Sequence, residues 1–197
     1  MTPECRRVQA VCQHEGMARK DNPVLILTGA PGSGKTTVAR LLTAQEHRAV
    51  HVESDCFFHF IKSGYVEPWK PESHGQNETI MRIVGDAAAG YAAAGYFTVI
   101  DGIISPDWFL EPLSNALRAS GFQVAYAVLR PSLPIATGRA ERRTSSRLSD
   151  AAVIEQLWRD FADLGSLEHH AIDNSMQTPE ETTTLVAARL RLGKLDL

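Results

Sequence analysis

Gly29, Gly34, Lys35 and Thr36 stand at the spacing G-x-x-x-x-G-K-T. Residues of these types at this spacing can hold a chain of phosphates. Glycines let successive backbone N–H groups turn inward as a concave nest for phosphate oxygens. A helix beginning near Gly34 would point its positive dipole end at the same oxygens. Lys35 adds a mobile cation for the β- and γ-phosphates, and the Thr36 hydroxyl is placed to ligate Mg²⁺. Gly29, Ala30, Pro31, Gly32, Ser33, Gly34, Lys35, Thr36 and Thr37 therefore form the candidate nucleotide-binding loop. Its expected ligands are ATP and Mg²⁺. The pattern points to a nucleoside triphosphate and leaves the fate of the γ-phosphate open.

Two carboxylates and a group of arginines could decide that fate. Asp55 follows the strand-like run of residues 49–53. Ligands of open α/β sheets bind at the carboxyl ends of the strands. With Ser54, Asp55 also suits a helix N-cap, and it could cap and still do chemistry. Asp101 directly follows the apolar run of residues 97–100. From that position a phosphate-loop protein holds Mg²⁺ or its water shell; the alternative is a simple turn with Gly102. Arg139, Arg142 and Arg143 share one helical face at offsets of three and four. A basic helix, a polar break over residues 144–149 and a new helix from Asp150 read as a lid spanning about 139–150. Its cations could close on phosphates and exclude water, or they could form a solvated face. Lys35, Asp55, Arg139 and Arg143 are the catalytic candidates, and Thr36 and Asp101 are the metal candidates.

The elements that must position these residues are legible in outline. A buried strand over residues 24–27 precedes the loop, and a helix with Val38, Leu41 and Leu42 follows it. Residues 64–74 contain two prolines and a glycine and read as a loop. Phe57, Phe58, Tyr65 and Trp69 around it suggest an aromatic-lined pocket, or ordinary core. His74, Gln76 and Asn77 open the next helix and could point into the site. That helix is expected over about 76–94, with Ile80, Val84, Ala87, Ala88 and Tyr91 buried and Gly95 as its stop. Ser105-Pro106-Asp107 signals a further helix start. Residues 122–129 form a fourth strand, and Val153, Leu157, Phe161 and Leu164 mark the buried face of a helix. Residues 171–173 form a short fifth strand, and Thr178-Pro179-Glu180-Glu181 is a capping box. Five strands alternating with helices imply a parallel sheet covered on both faces, a three-layer α/β/α architecture.

Composition bounds the rest. The chain has 197 residues, 44% of them hydrophobic, which suits a globular domain. Its 20 basic and 23 acidic side chains give a formal charge of −3, no footprint for nonspecific nucleic-acid binding. The three cysteines make neither a disulfide framework nor a zinc site. No apolar run is long enough to span a membrane, and no apolar core of a signal peptide is present, so the expected location is the cytoplasm. Residues 1–22 are polar and without clear period. They read as a poorly ordered leader or a short surface helix ahead of a domain over 23–197, with Met17 as an alternative to Met1 for the start.

Taken together, the loop GAPGSGKTT, the segment SDCFFHFIKSGYVEPWKPESHGQN, the strand end VIDG, the arginines of RAERR and HHAIDNSMQTPEET resemble the small P-loop kinases. The resemblance is to the shikimate-kinase, gluconate-kinase and nucleotide-kinase group, closest to bacterial single-domain kinase-like proteins often labelled AAA-family ATPases. It implies strand order 2-3-1-4-5, a lid after strand four, and phosphoryl transfer from ATP to a hydroxyl of a small molecule. It implies that Asp55 contacts that hydroxyl, with Glu53 as the other member of a paired-acid site, and that adenine binds near residues 174–177. The acceptor could be a sugar acid, a nucleoside, an antibiotic-like compound or a nucleotide sugar. Two other readings compete: a regulatory P-loop NTPase and a nucleic-acid 5′-hydroxyl kinase. Oligomeric state is not set by the sequence.

Overall fold

A computed structural model describes residues 23–142 and 151–197. Strands buried on both faces read as unbroken apolar runs. Val24–Thr28 does so and forms β1, with every residue buried. It pairs in parallel with β3 (Phe97–Gly102) on one side and β4 (Val124–Leu129) on the other. β2 (Ala49–Glu53) lies outside β3, and the two-residue β5 (Ala171–Ile172) lies outside β4. The sheet is parallel with order 2-3-1-4-5, as the resemblance implies.

Alternation along the strands sends successive side chains to opposite faces. Ile26, Val52, Ile100 and Tyr126 pack against α3 (His74–Ala93) and α4 (Glu111–Ala119). Leu25, Leu27, Val99 and Ala127 pack against α1 (Lys35–Ala44) and α7 (Pro179–Arg191). Each fully buried Leu, Ile or Val contributes about 1.5–3 kcal/mol. Shorter helices complete the layers: α2 (Ser54–His59), α5 (Leu133–Glu141) and α6 (Ala151–Arg159). The expected capping box opens α7: Glu181 N–H donates to Thr178 Oγ1 at 3.2 Å, and Thr178 N–H donates to Glu181 Oε2 at 2.8 Å. Among the described residues no helix is long and apolar enough to cross a membrane.

Several local expectations are corrected. The Ser105-Pro106 signal does not start an α-helix. Trp108 and Phe109 leave helical dihedrals, and α4 begins only at Glu111. Tyr91 is 46% exposed and packs edge-on against Tyr96 instead of facing the core. In α6 the fully buried residue is Ile154, while Val153 is only partly covered. The start at Asp150 and the leader over residues 1–22 lie outside the described residues.

β5 pairs with β4 only at Val128 and Leu129. The rest of that edge is taken by residues 195–197: Tyr126 N–H donates to Leu195 O at 2.7 Å, and Leu197 N–H donates to Val124 O at 3.0 Å. Ala125 and Asp196 form an antiparallel bridge there, and Leu195 is fully buried.

His170, 1% exposed, closes the turn before β5 and donates from Nδ1 to Tyr126 O at 2.9 Å. Burial pushes its imidazole below its ordinary value; the Tyr126 carbonyl opposes this, and the charges of His169 and Arg189 reinforce it. A base with a depressed folded-state pKa takes up its proton more readily when unfolded. Stability is therefore greatest above the unfolded value and falls as pH drops below about 6.5. Thermal melting of the protein should show a falling midpoint between about pH 7 and about pH 5, and His170→Gln should flatten that slope. An unchanged slope in the variant would place the effect on another group.

Candidate active site

The register of the sheet brings three strand ends together. Leu27 of β1 sits opposite Asp101 of β3, which sits opposite Glu53 of β2. The glycine loop, Asp55 and Asp101 therefore leave the sheet along one edge. In the loop, Gly32 (φ 77) and Gly34 (φ 92) occupy left-handed backbone that side chains disfavour. A Cβ on Gly32 would stand 2.0 Å from Ala136 O of α5, so only glycine fits. Gly34 caps α1, whose first residue, Lys35, is 6% exposed. From the far end of the chain, Asn174 donates from Nδ2 to Ser33 O at 2.9 Å and braces the loop.

Asp101 is 4% exposed and lies against a histidine that the motif reading did not single out. His51 Nε2 donates to Asp101 Oδ2 at 3.1 Å, and its Nδ1 lies 3.6 Å from Glu53 Oε1. Glu53 is in turn paired with Arg40 of α1 at 3.3 Å. Positions 51 and 53 share the α1 face of β2 by strand alternation, which is how both reach this cluster. Burial alone would push the Asp101 carboxyl up. The His51 hydrogen bond, the Lys35 charge and the nearby Thr36 hydroxyl outweigh it and hold the carboxyl below its ordinary value. Asp101 Oδ1 is buried without a hydrogen-bond partner. A charged carboxylate with one free oxygen beside Thr36 fits the water shell of a divalent ion. Among the described residues no group of three or more His, Cys, Asp or Glu could hold a metal by itself. A metal here would share its coordination with phosphates, as Mg²⁺ commonly does.

Asp55 faces a second region. It lines a cleft with Ser54 and Asn77 and with the aromatic residues Phe58, Trp69, Trp108 and Phe109. The cleft wall is fastened from α3. Gln76 pairs with both backbone groups of Val66, accepting at 2.9 Å and donating at 2.7 Å. Asn77 donates from Nδ2 to Pro68 O at 2.8 Å, and Ser73 Oγ donates to the same carbonyl at 2.8 Å. Side-chain amides thus hold the Trp69 loop much as a neighbouring strand would. Phe109, also in the lining, has φ 65, the only positive φ outside glycine among the described residues. That conformation costs about 1–2 kcal/mol. Phe109 is 7% exposed and lines the cleft beside Trp108, with ring centroids 5.1 Å apart. Ile104 fixes the start of this segment: its N–H donates to Thr28 Oγ1 at 2.9 Å and its O accepts from Tyr126 at 2.8 Å.

The remaining candidates separate. Phe57 and Tyr65 do not line the cleft, and Phe57 packs edge-on against Phe60 at 5.8 Å. His74 is paired with Glu78 at 3.3 Å on the surface. Glu53 is bound up with Arg40 and His51 and does not join Asp55 in the cleft. Arg139 lies beside the glycine loop, in a cleft shared with Gly32, Thr37, Asn174 and Gln177. There it donates to Asn174 O at 3.1 Å and Ser175 O at 3.4 Å. Arg142 is exposed at the end of α5, and Arg143 and the rest of the expected lid lie outside the described residues.

Comparison with known proteins now has a geometry to meet. Residues 24–164 match the family described as an AAA domain. The chain belongs to that family. No curated protein matches it in sequence. Among solved structures it is similar to the tunicamycin resistance protein of Deinococcus radiodurans: 16% identity, TM-score 0.66, covering 86% of this chain and 95% of that one. It is similar to a gluconokinase from Sinorhizobium meliloti 1021, with 17% identity, TM-score 0.65, and 88% and 94% covered. It is also similar to a shikimate kinase from Acinetobacter baumannii, with 19% identity, TM-score 0.55, and 89% and 96% covered. At these identities the likeness is one of fold, and the fold is that of the P-loop kinases.

Seen as an AAA domain of this kind, the chain carries site features that motif reading misses. His51 was detectable only as the residue two before Glu53 in an alternating strand. Trp108 and Phe109 were hidden inside a false helix start. Asn174 has no local signal at all, because its partner lies 141 residues away.

Proposed function

We propose that this protein is an ATP-dependent kinase that phosphorylates a hydroxyl group of a small molecule. The observation that carries the reading is the arrangement along one sheet edge. A buried, partly unpartnered carboxylate at Asp101 stands between a complete phosphate-binding loop after β1 and a second carboxylate, Asp55, which follows β2 and belongs to a separate aromatic cleft. An NTPase that only hydrolyses has no need of that second cleft.

The backbone of residues 29–37 would cradle the phosphates, with the Lys35 ammonium on the β- and γ-oxygens. Thr36 and Asp101 would hold Mg²⁺, which when bound neutralises charge on the phosphate oxygens. Asp55 would take the proton of the acceptor hydroxyl while its oxygen bonds to the γ-phosphorus. The bond to the β-bridging oxygen breaks in the same step and releases ADP. Arg139, beside the loop, would stabilise charge on the transferring group once freed from the 174–175 carbonyls, with Arg143 as the second candidate. Catalysis of this kind is mainly positioning and electrostatics. The test is ADP formation with and without a panel of hydroxyl compounds. The kinase reading expects slow background release and a marked rise with an acceptor that itself gains phosphate. Equal release under all conditions would mark a plain NTPase.

A further inference from the structure

The cleft that opens on Asp55 has a chemistry of its own. Its lining is four aromatic rings, of Phe58, Trp69, Trp108 and Phe109, with the apolar side chains of Met81 and Leu157 among those between them. Its polar lining residues are Ser54, Asp55 and Asn77. Among the described residues no Lys, Arg or His lines it, and Asp55 is the one ionisable lining residue. Three basic groups near the lining residues are engaged elsewhere: Lys70, beside Trp69, holds Glu67 at 2.9 Å; His74, whose ring lies 5.9 Å from that of Phe109, holds Glu78; and Arg82, beside Met81, holds Asp86 at 3.5 Å. Asp107 precedes Trp108, and its charge, added to burial, helps to push the Asp160 carboxyl up. An anionic acceptor would have to shed its water into this apolar, acid-bearing surface, where no described residue supplies a lining cation, and that is disfavoured. A planar ring would instead find aromatic partners among the lining residues.

We propose that the acceptor is an uncharged hydroxyl compound with an aromatic or heterocyclic body, and that sugar acids and other carboxylates are rejected. This rests on the kinase reading for the word acceptor. The backbone supports it independently. The left-handed Phe109 and the side-chain amides that fasten the Trp69 loop are both local departures from regular structure, and each serves to present a ring to this one cleft. Such departures concentrate where a ligand is clamped.

The experiment is a pair of binding titrations on the full chain with Mg·ADP present. Two of the chain's three tryptophans line the cleft, so intrinsic fluorescence reports ring binding, and calorimetry gives the affinity. The probes are matched: uridine against uridine 5′-monophosphate, and 1,4-benzenedimethanol against 4-(hydroxymethyl)benzoate, with gluconate as a ring-free acid. The neutral ring compounds should bind at least about tenfold more tightly than their anionic counterparts, and gluconate should not bind. Trp69→Ala, at a side chain that is 43% exposed and so removable without unfolding, should weaken the neutral probes by about tenfold, in the range of one lost stacking contact. Preference for the anions, binding of gluconate, no binding of either neutral ring, or indifference to Trp69→Ala would each overturn the proposal. ADP formation in the same mixtures separates the two layers. Selective ring binding without stimulated ADP release leaves the cleft's preference standing and removes the kinase reading. Stimulation by an anion does the reverse.

Discussion

Lys35→Ala should abolish the proposed γ-phosphate transfer, lowering turnover by about 10³-fold or more, and weaken ATP binding; this is the largest single effect expected in the chain. Lys35 is the first residue of α1 and is almost fully buried, so its ammonium is a fixed charge rather than a mobile surface one. It already helps to hold the Asp101 carboxyl in its charged form. Removing it takes a cation from the phosphates and leaves Asp101 less compensated in a buried setting. Both changes act against a highly anionic ligand. The check is turnover paired with calorimetric ATP binding, with thermal melting to show that the variant is folded. Wild-type turnover in a folded Lys35→Ala protein would mean that the nucleotide site has been misplaced.

The second large effect is a contrast between two carboxylates. Asp55→Asn keeps the shape of the side chain and removes the base. Transfer should fall by about 10²-fold or more while Mg·ATP affinity stays near normal. Asp101→Asn should raise the Mg²⁺ concentration needed for half-maximal rate and for nucleotide binding. The structure adds a third member to this comparison. His51 donates to one oxygen of Asp101 and so aims the other. His51→Ala should therefore follow Asp101→Asn, shifting the Mg²⁺ requirement in the same direction and by less. A magnesium titration of turnover and of ADP binding across the three variants reads all of this. If Asp55→Asn moves the metal requirement and Asp101→Asn does not, the two roles are reversed.

How much of this could be read from the chain follows from the range of the interactions. β1, the glycine loop and α1 were legible because an apolar run, the glycine spacing and a helical repeat are all local. The α7 capping box was legible because its partners are three residues apart. The strand order came through the resemblance rather than through any local pattern. What stayed hidden is long-range or runs against local preference. Phe109 takes a conformation its own residue type disfavours, so a Ser-Pro-Asp helix signal masked half of the aromatic cleft. Tyr91 fits the helical repeat of α3 but lies exposed against Tyr96, while Ala88 and Ala92 on either side of it take the core-facing places. The Glu53–Asp55 pairing failed for a simpler reason: Glu53 is the last residue of β2, and Asp55 is already one residue inside α2, so strand alternation no longer relates them.

The strap of residues 195–197 along β4 bears on how the protein can be handled. With β5 so short, the first part of β4 would otherwise present free backbone donors and acceptors to any neighbouring chain, and such open edges seed intermolecular strand pairing. Deleting residues 195–197 would open this edge and favour self-association, even though every residue of the proposed chemistry lies elsewhere.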